Sequence, residues 1–216
     1  MNVTSFSESK TDGANEDVVE SAQYPLDKAI WILALADGQG GRTGGAEAAQ
    51  TALKRAVQMA LSVPVQKLLS GWFWTQLLLD VDKAVSNSPD AGFTTFVGVA
   101  VTEQTIVGVS SGDSQAVLIS PTGTAVTLTA NQKKNPPVGS QMCHPTPFAS
   151  PFPANSRLLL MSDGVYKFVP SETIFSKIAE LEAKDAIKVI RDLAVGKSGT
   201  LYDDFTLVIA NNPKDK

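Results

Sequence analysis

The sequence predicts an α+β fold in which antiparallel sheets pack together with helix pairs outside. Three observations lead there. Strand-like and helix-like segments fall in separate runs: strands, two helices, several hairpin strands, two helices and a last strand. Segregated runs of this kind favour α+β over alternating βαβ units. The middle strands are joined by short links, which allow only antiparallel pairing. Each helical segment carries one apolar face, and that face needs a sheet to cover it.

The elements follow in order. Residues 1–22 are polar with short β-prone pieces, VTSFS and DVVESA, and read as one or two strands and a loop. Residues 28–36 read as a buried strand that stops at Asp37. From Thr43 to about Leu61 the pattern becomes helical, because Ala46, Ala49, Leu53, Ala56, Val57 and Ala60 recur at spacings of three and four. A second helix follows the break at Pro64, with Phe73, Leu77, Val81 and Ala84 inward and both Trp72 and Trp74 used for packing. FTTFVGVAVT, TIVGVSSG, SQAVLIS and TAVTLTA are rich in Val and Thr and end in turn residues such as Pro121-Thr122-Gly123, so they read as hairpin strands. Residues 131–155 lose all periodicity and hold six prolines, which predicts an irregular surface loop. RLLLMS is a strand. Ile174, Ile178 and Leu181, then Ala186, Ile187, Ile190 and Ala194, mark two more helices, and DFTLVIA is the last strand. With no repeat and no linker, one domain over residues 1–216 is expected.

Composition narrows the function classes. A chain of 216 residues, 43% apolar and 19% charged, is long enough to bury a core and has the balance of a soluble globular protein. Its 18 basic and 22 acidic residues give a net charge of −4 without a run of either sign, so nucleic acid is not an expected partner. The polar N-terminus lacks a signal-peptide apolar block. The longest apolar run, AIWILALA, is about a third of a membrane span. A cytoplasmic protein, with no membrane partner and monomeric, is expected. The lone Cys143 forms no internal disulfide, and the lone His144 excludes a histidine-rich metal site, so any metal here is held by oxygen.

The chemistry sits at the strand ends. Asp37-Gly38 closes one apolar run, Asp163-Gly164 closes another in LLLMSDGV, and Asp203-Asp204 opens the last strand. Asn15-Glu16-Asp17 adds acids near the N-terminus. Carboxylates gathered at strand ends repel one another unless cations neutralise them, and Mg²⁺ or Mn²⁺ prefers this oxygen chemistry. Gly38, with no side chain, would let its carbonyl approach a metal. Asp12, Asp80, Asp82, Asp90 and Asp192 read as surface charges.

The blocks NED (15–17), ADGQGG (36–41), GFTTFVGVAV (92–101), GDSQAVLIS (112–120), LLLMSDGV (158–165) and DDFTLVIA (203–210) give the chain a resemblance to the metal-dependent serine/threonine protein phosphatases of type 2C, in a compact bacterial form. The resemblance implies a four-layer α-β-β-α sandwich, with two central antiparallel sheets flanked by helix pairs and two Mn²⁺ or Mg²⁺ ions at one end. It implies that Asp37 bridges both ions, that Gly38 offers a carbonyl, that Asp163 and Asp203 ligate the other ion, and that Asp17 binds directly or through water. Asp113 resembles a ligand of a looser third ion. The implied reaction is hydrolysis of phosphoserine and phosphothreonine in a protein substrate, by a hydroxide between ions about 3.5–4 Å apart. Asp37, Asp163 and Asp203 would act through that water.

Three departures qualify the expectation. Where the family has a phosphate-gripping arginine this chain has Asp12, and Lys10 nearby would serve as a point charge for the substrate phosphate, without the bidentate fork. Gln39 stands where some members carry a proton-donating histidine. Lys167 stands where the family has another acid, so a well-occupied third ion is not expected. The alternatives are a pseudophosphatase acting as a binding module and a phosphatase of small molecules.

Overall fold

The structure is a computed structural model and describes residues 1–13, 15–39, 43–197 and 199–212. The chain runs β1 (Asn2–Glu8), β2 (Asp17–Gln23), β3 (Trp31–Asp37), α1 (Gly45–Leu61), α2 (Val65–Leu68), α3 (Gly71–Ser86) and β4 (Phe96–Val101). It continues with β5 (Thr105–Ser111), β6 (Gln115–Ile119), β7 (Ala125–Thr127), β8 (Thr146–Pro151) and β9 (Arg157–Met161). The last part is α4 (Asp163–Tyr166), α5 (Ser171–Glu180), α6 (Ala183–Ala194) and β10 (Phe205–Asn211).

Two antiparallel five-stranded sheets result, in the orders β1-β10-β9-β6-β7 and β2-β3-β4-β5-β8. Side chains alternate across a strand, and β3 shows how this builds layers. Leu33 and Leu35 meet Leu158, Leu160 and Val208 of the other sheet. Ile32, Ala34 and Ala36 face outward and pack with Ala49, Leu53, Leu77 and Val81 of α1 and α3. On the far side, Leu159, Leu207 and Ile209 are covered by Ile174, Ile187 and Ile190 of α5 and α6. The expected α-β-β-α sandwich is thus present. A strand buried on both faces reads as a continuous apolar run, which is why β3 and β4 show no alternation.

Antiparallel order also sorts the strand ends. The C-terminal ends of β3 and β9 and the N-terminal ends of β2 and β10 fall on one rim, because β2 pairs with β3 (Asp17 opposite Asp37) and β9 with β10 (Met161 opposite Leu207). Acids far apart in the chain therefore share an edge.

Four expectations need correction. β5 and β6 do not form a hairpin: β5 pairs with β4 and β8, and β6 with β7 and β9. The link Gly112-Asp113-Ser114 instead carries the chain from one sheet to the other. Gly112 makes that step at φ +116, and a Cβ there would stand 2.6 Å from Thr95 Cβ. Residues 131–155 are not all irregular, since β8 pairs with β5 from Thr146 to Pro151 as an edge strand, the one sheet position that tolerates its prolines. Trp74 is buried, with Nε1 donating to Leu68 O at 2.8 Å, but Trp72 is exposed. Asp82 is not a surface charge. It lies on the buried stripe of α3 between Leu78 and Val85 and is only 2% exposed.

Asp82 fastens the proline-rich segment to the helix layer. Its Oδ1 accepts from the backbone N–H of Gly139 at 2.5 Å and of Gln141 at 3.2 Å, and its Oδ2 from Cys143 N–H at 3.1 Å. Asp80, two residues earlier, makes only a half-exposed pair with Arg55. Asp82→Ala strands three N–H groups and should cost about 2–4 kcal/mol in urea unfolding, whereas Asp80→Ala should cost less than about 1 kcal/mol. Equal effects of the two substitutions would refute this assignment.

Candidate functional site

The shared rim opens into a cleft of about 360 Å³, lined among others by Asp37, Gly38, Asp113, Asp163, Asp203 and Lys10. Each acid is brought there by a different piece of chain. Asp37 ends β3, and its backbone is fixed on both sides. Its N–H donates to Thr95 Oγ1 at 3.0 Å, and its carbonyl accepts from Thr95 N–H at 2.8 Å and Thr94 Oγ1 at 2.9 Å. Gly38 leaves no room for a side chain: a Cβ there would stand 2.4 Å from the Gly45 carbonyl and 2.9 Å from Glu16 O. Gly40 and Gly41, which complete the ADGQGG block, lie outside the described residues. Asp113 sits on the sheet-to-sheet crossover, where Tyr166 Oη donates to its carbonyl at 3.0 Å. Asp163 begins α4 and Asp203 precedes β10.

Asp17 lies behind this cleft rather than on its wall. It is 5% exposed, and neither carboxylate oxygen accepts a hydrogen bond from the described residues. Burial raises its pKa, against which the nearby hydroxyls of Ser162 and Thr206 act in the lowering direction. Their bonds, however, run elsewhere: Ser162 Oγ donates to Asp204 O at 3.4 Å and accepts from Thr206 N–H at 3.1 Å, and Thr206 Oγ1 pairs with Ser7 Oγ at 2.7 Å. Burial therefore dominates and pushes the Asp17 pKa well up, with the charges of Asp204 and Asp163 adding to it. Asp37 is pushed up the same way, by burial first and then by the charges of Asp17, Asp163, Asp113 and Asp203.

Three of the other acids are met by lysines. Lys10 Nζ donates to Asp203 Oδ1 at 2.7 Å, Lys167 pairs with Asp163 Oδ2 one helical turn away, and Lys134 pairs with Asp113 Oδ2. Lys10 is thus on a candidate ligand instead of standing free for a phosphate. As the side chains stand, no three histidine, cysteine or acidic groups among the described residues converge on one point. The donor chemistry nevertheless fits a hard divalent cation: hard oxygens, a buried orphan carboxylate, and a glycine whose backbone alone fits. Each paired aspartate keeps its other oxygen out of the ion pair.

Asp204 plays a part that its place in the DD doublet did not reveal. It is 5% exposed, and it accepts from Lys10 N–H at 2.9 Å, Glu16 N–H at 2.7 Å and Ser9 Oγ at 3.3 Å. It shapes the loop between β1 and β2 that carries Lys10 to the rim. The Lys167 pair was visible in sequence as an i, i+4 spacing. Lys134 had no such signal, being 21 residues from its partner. Gln39, His144 and Asp12 are exposed.

The sequence profile of protein phosphatase 2C matches residues 8–188. The chain belongs to that family. Comparison with curated proteins returns no match. Among solved structures, Staphylococcus aureus serine/threonine phosphatase Stp1 superposes with a TM-score of 0.81 at 19% identity, covering 97% of this chain and 94% of that one. The catalytic domain of serine/threonine protein phosphatase PstP, solved with two manganese ions, gives 0.79 at 22% identity and 97% of both chains. RsbX in complex with magnesium gives 0.72 at 16% identity, covering 96% of this chain and 92% of RsbX. These likenesses show the shared fold. No helix of the described residues is long and apolar enough to cross a membrane.

The raised pKa values have a measurable sign. A carboxyl whose pKa is higher folded than unfolded withholds stability as pH rises above the ordinary carboxylate range. In chelator at about pH 8, where a free carboxyl is ionised, Asp17→Asn should therefore stabilise the chain by about 1–3 kcal/mol. With excess Mn²⁺ the order should invert, the wild type then melting higher. Thermal melts in the two buffers check both halves, and a variant less stable in chelator would contradict the buried-charge account.

Proposed function

We propose that this protein is a metal-dependent phosphomonoester hydrolase that removes phosphate from phosphoserine and phosphothreonine in proteins. The observation that carries the reading is the buried carboxylate of Asp17, without a hydrogen-bond partner among the described residues, beside Asp37 on the rim where Asp163 and Asp203 also end. A chain does not gain from burying unpaired acids together unless a cation meets them. Asp37, Asp163, Asp203 and Asp17, with the carbonyl of Gly38, would hold two Mn²⁺ or Mg²⁺ ions.

When bound, such a pair supplies positive charge for the phosphate oxygens and lowers the pKa of water to about 7. The chain's own residues do the rest. Asp37, fixed by Thr94 and Thr95, orients the centre. Lys10, paired with Asp203, orients that carboxylate at the cleft wall. Gln39 delivers no proton, so the leaving alkoxide takes its proton from water. Nothing in this arrangement calls for a covalent phospho-enzyme, and Cys143 is buried in the cluster formed with α1 and α3, away from the residues that line the cleft.

The lysine pairs support a second reading, a binding module that has exchanged catalysis for internal ion pairs. Hydrolysis of an aryl phosphate and a phosphothreonine peptide, each with Mn²⁺ and with chelator, separates the two. The expected result is Mn²⁺-dependent turnover of both substrates, with kcat reduced at least about a hundredfold by Asp37→Ala and by Asp163→Ala, since outer-shell partners alone are worth about 10–100-fold. Mn²⁺ binding without turnover would establish the binding module. Turnover of the aryl phosphate alone would point to small-molecule substrates, and turnover indifferent to chelator would reject the metal centre.

A further inference from the structure

Lys10, Lys134 and Lys167 come from three separate stretches of chain, yet each pairs with a different acid of the same cleft. The backbone builds these pairs. Gly112 N–H donates to Lys133 O at 2.9 Å, which sets Lys134 beside Asp113. Lys167 N–H donates to Asp163 O at 3.0 Å, which puts the two side chains on one helical face. Lys10 N–H is held by Asp204. The charges are graded with depth. Asp17 and Asp37, the innermost acids, have no lysine or arginine partner among the described residues, whereas Asp113 and Asp163 nearer the mouth do.

We propose that Lys134 and Lys167 are built-in counter-cations for the outer half of the cleft, standing where a divalent ion would otherwise bind Asp113 and Asp163. Each ammonium takes one oxygen, Oδ2, of its aspartate. Asp163 keeps Oδ1 for the inner ions, while Asp113, capped by Lys134 and backed by Tyr166 on its carbonyl, has no ion to serve. A further cation entering there would meet two ammonium groups at short range, and like charges at that distance repel strongly. The outer half of the cleft is therefore charge-balanced without metal, and divalent ions are confined to the inner acids.

The inference rests on the reading of the inner acids as a divalent-ion site, and the two are tested separately by counting Mn²⁺ bound per chain in titration calorimetry. The wild type, Lys134→Met/Lys167→Met and Lys134→Arg/Lys167→Arg are compared. The double methionine variant should take up an additional Mn²⁺, or hold its outermost ion about tenfold more tightly, the size of two part-exposed ion pairs together. The double arginine variant, which keeps the charge, should behave as the wild type. Should the double methionine variant melt early, Lys134→Met alone carries the test, because that side chain is 64% exposed. Equal count and affinity in the wild type and the methionine variant would overturn this proposal and leave the inner site standing. Mn²⁺ binding gained by the variant and missing from the wild type would support it while removing the inner site, and binding by neither would overturn both.

Discussion

Uncompensated negative charge at the meeting edge of two sheets is the constraint on which the rest of this molecule depends. Asp17 and Asp37 face each other across β2 and β3, one enclosed and one lining the cleft, and burial raises the pKa of both. Such a pair opposes folding by itself. The surrounding structure holds it in place: hydroxyls of Thr94 and Thr95 fix the Asp37 backbone, and three lysines meet the next acids outward. The site is strained electrostatically in the way functional sites usually are.

Two other aspartates show what a satisfied buried carboxylate does. Asp82 and Asp204 each accept three hydrogen bonds, and each holds a loop against the body of the fold. Asp82 fastens the segment around Gly139–Cys143, and Asp204 fastens the β1–β2 connection. Asp17, equally buried, accepts none from the described residues. The contrast separates acids that serve architecture from one left without a hydrogen-bond donor among the described residues, and it needs no motif to be seen.

Much of this was legible in the residues. Apolar periodicity located α1, α3, α5 and α6, and the uninterrupted apolar runs located β3, β4 and β9, because burial on one face or two leaves distinct patterns. The acids at the ends of β3, β9 and β10 were legible as a set, since an antiparallel sandwich puts those ends on one edge. What escaped detection was decided by contacts between distant segments. The Gly112–Ser114 link is short enough for a hairpin, and only packing reveals that it changes sheets. The prolines of β8 hid an edge strand that pairs through one side alone. Asp82 follows the buried stripe of α3, but a carboxylate there is recognised only when the three amides it serves are known. Lys134 carries no local signal for its partner.

The pairing of β1 with β10 sets Asn2 opposite Asn211, and the bond from Lys10 to Asp203 spans 193 residues. Contacts of such range are costly to close early and form late in folding. A chain still emerging from the ribosome therefore carries the inner acids without the strand that completes their enclosure. The rim is assembled only once β10 has joined β1 and β9, so a chain lacking β10 lacks the edge on which these acids meet.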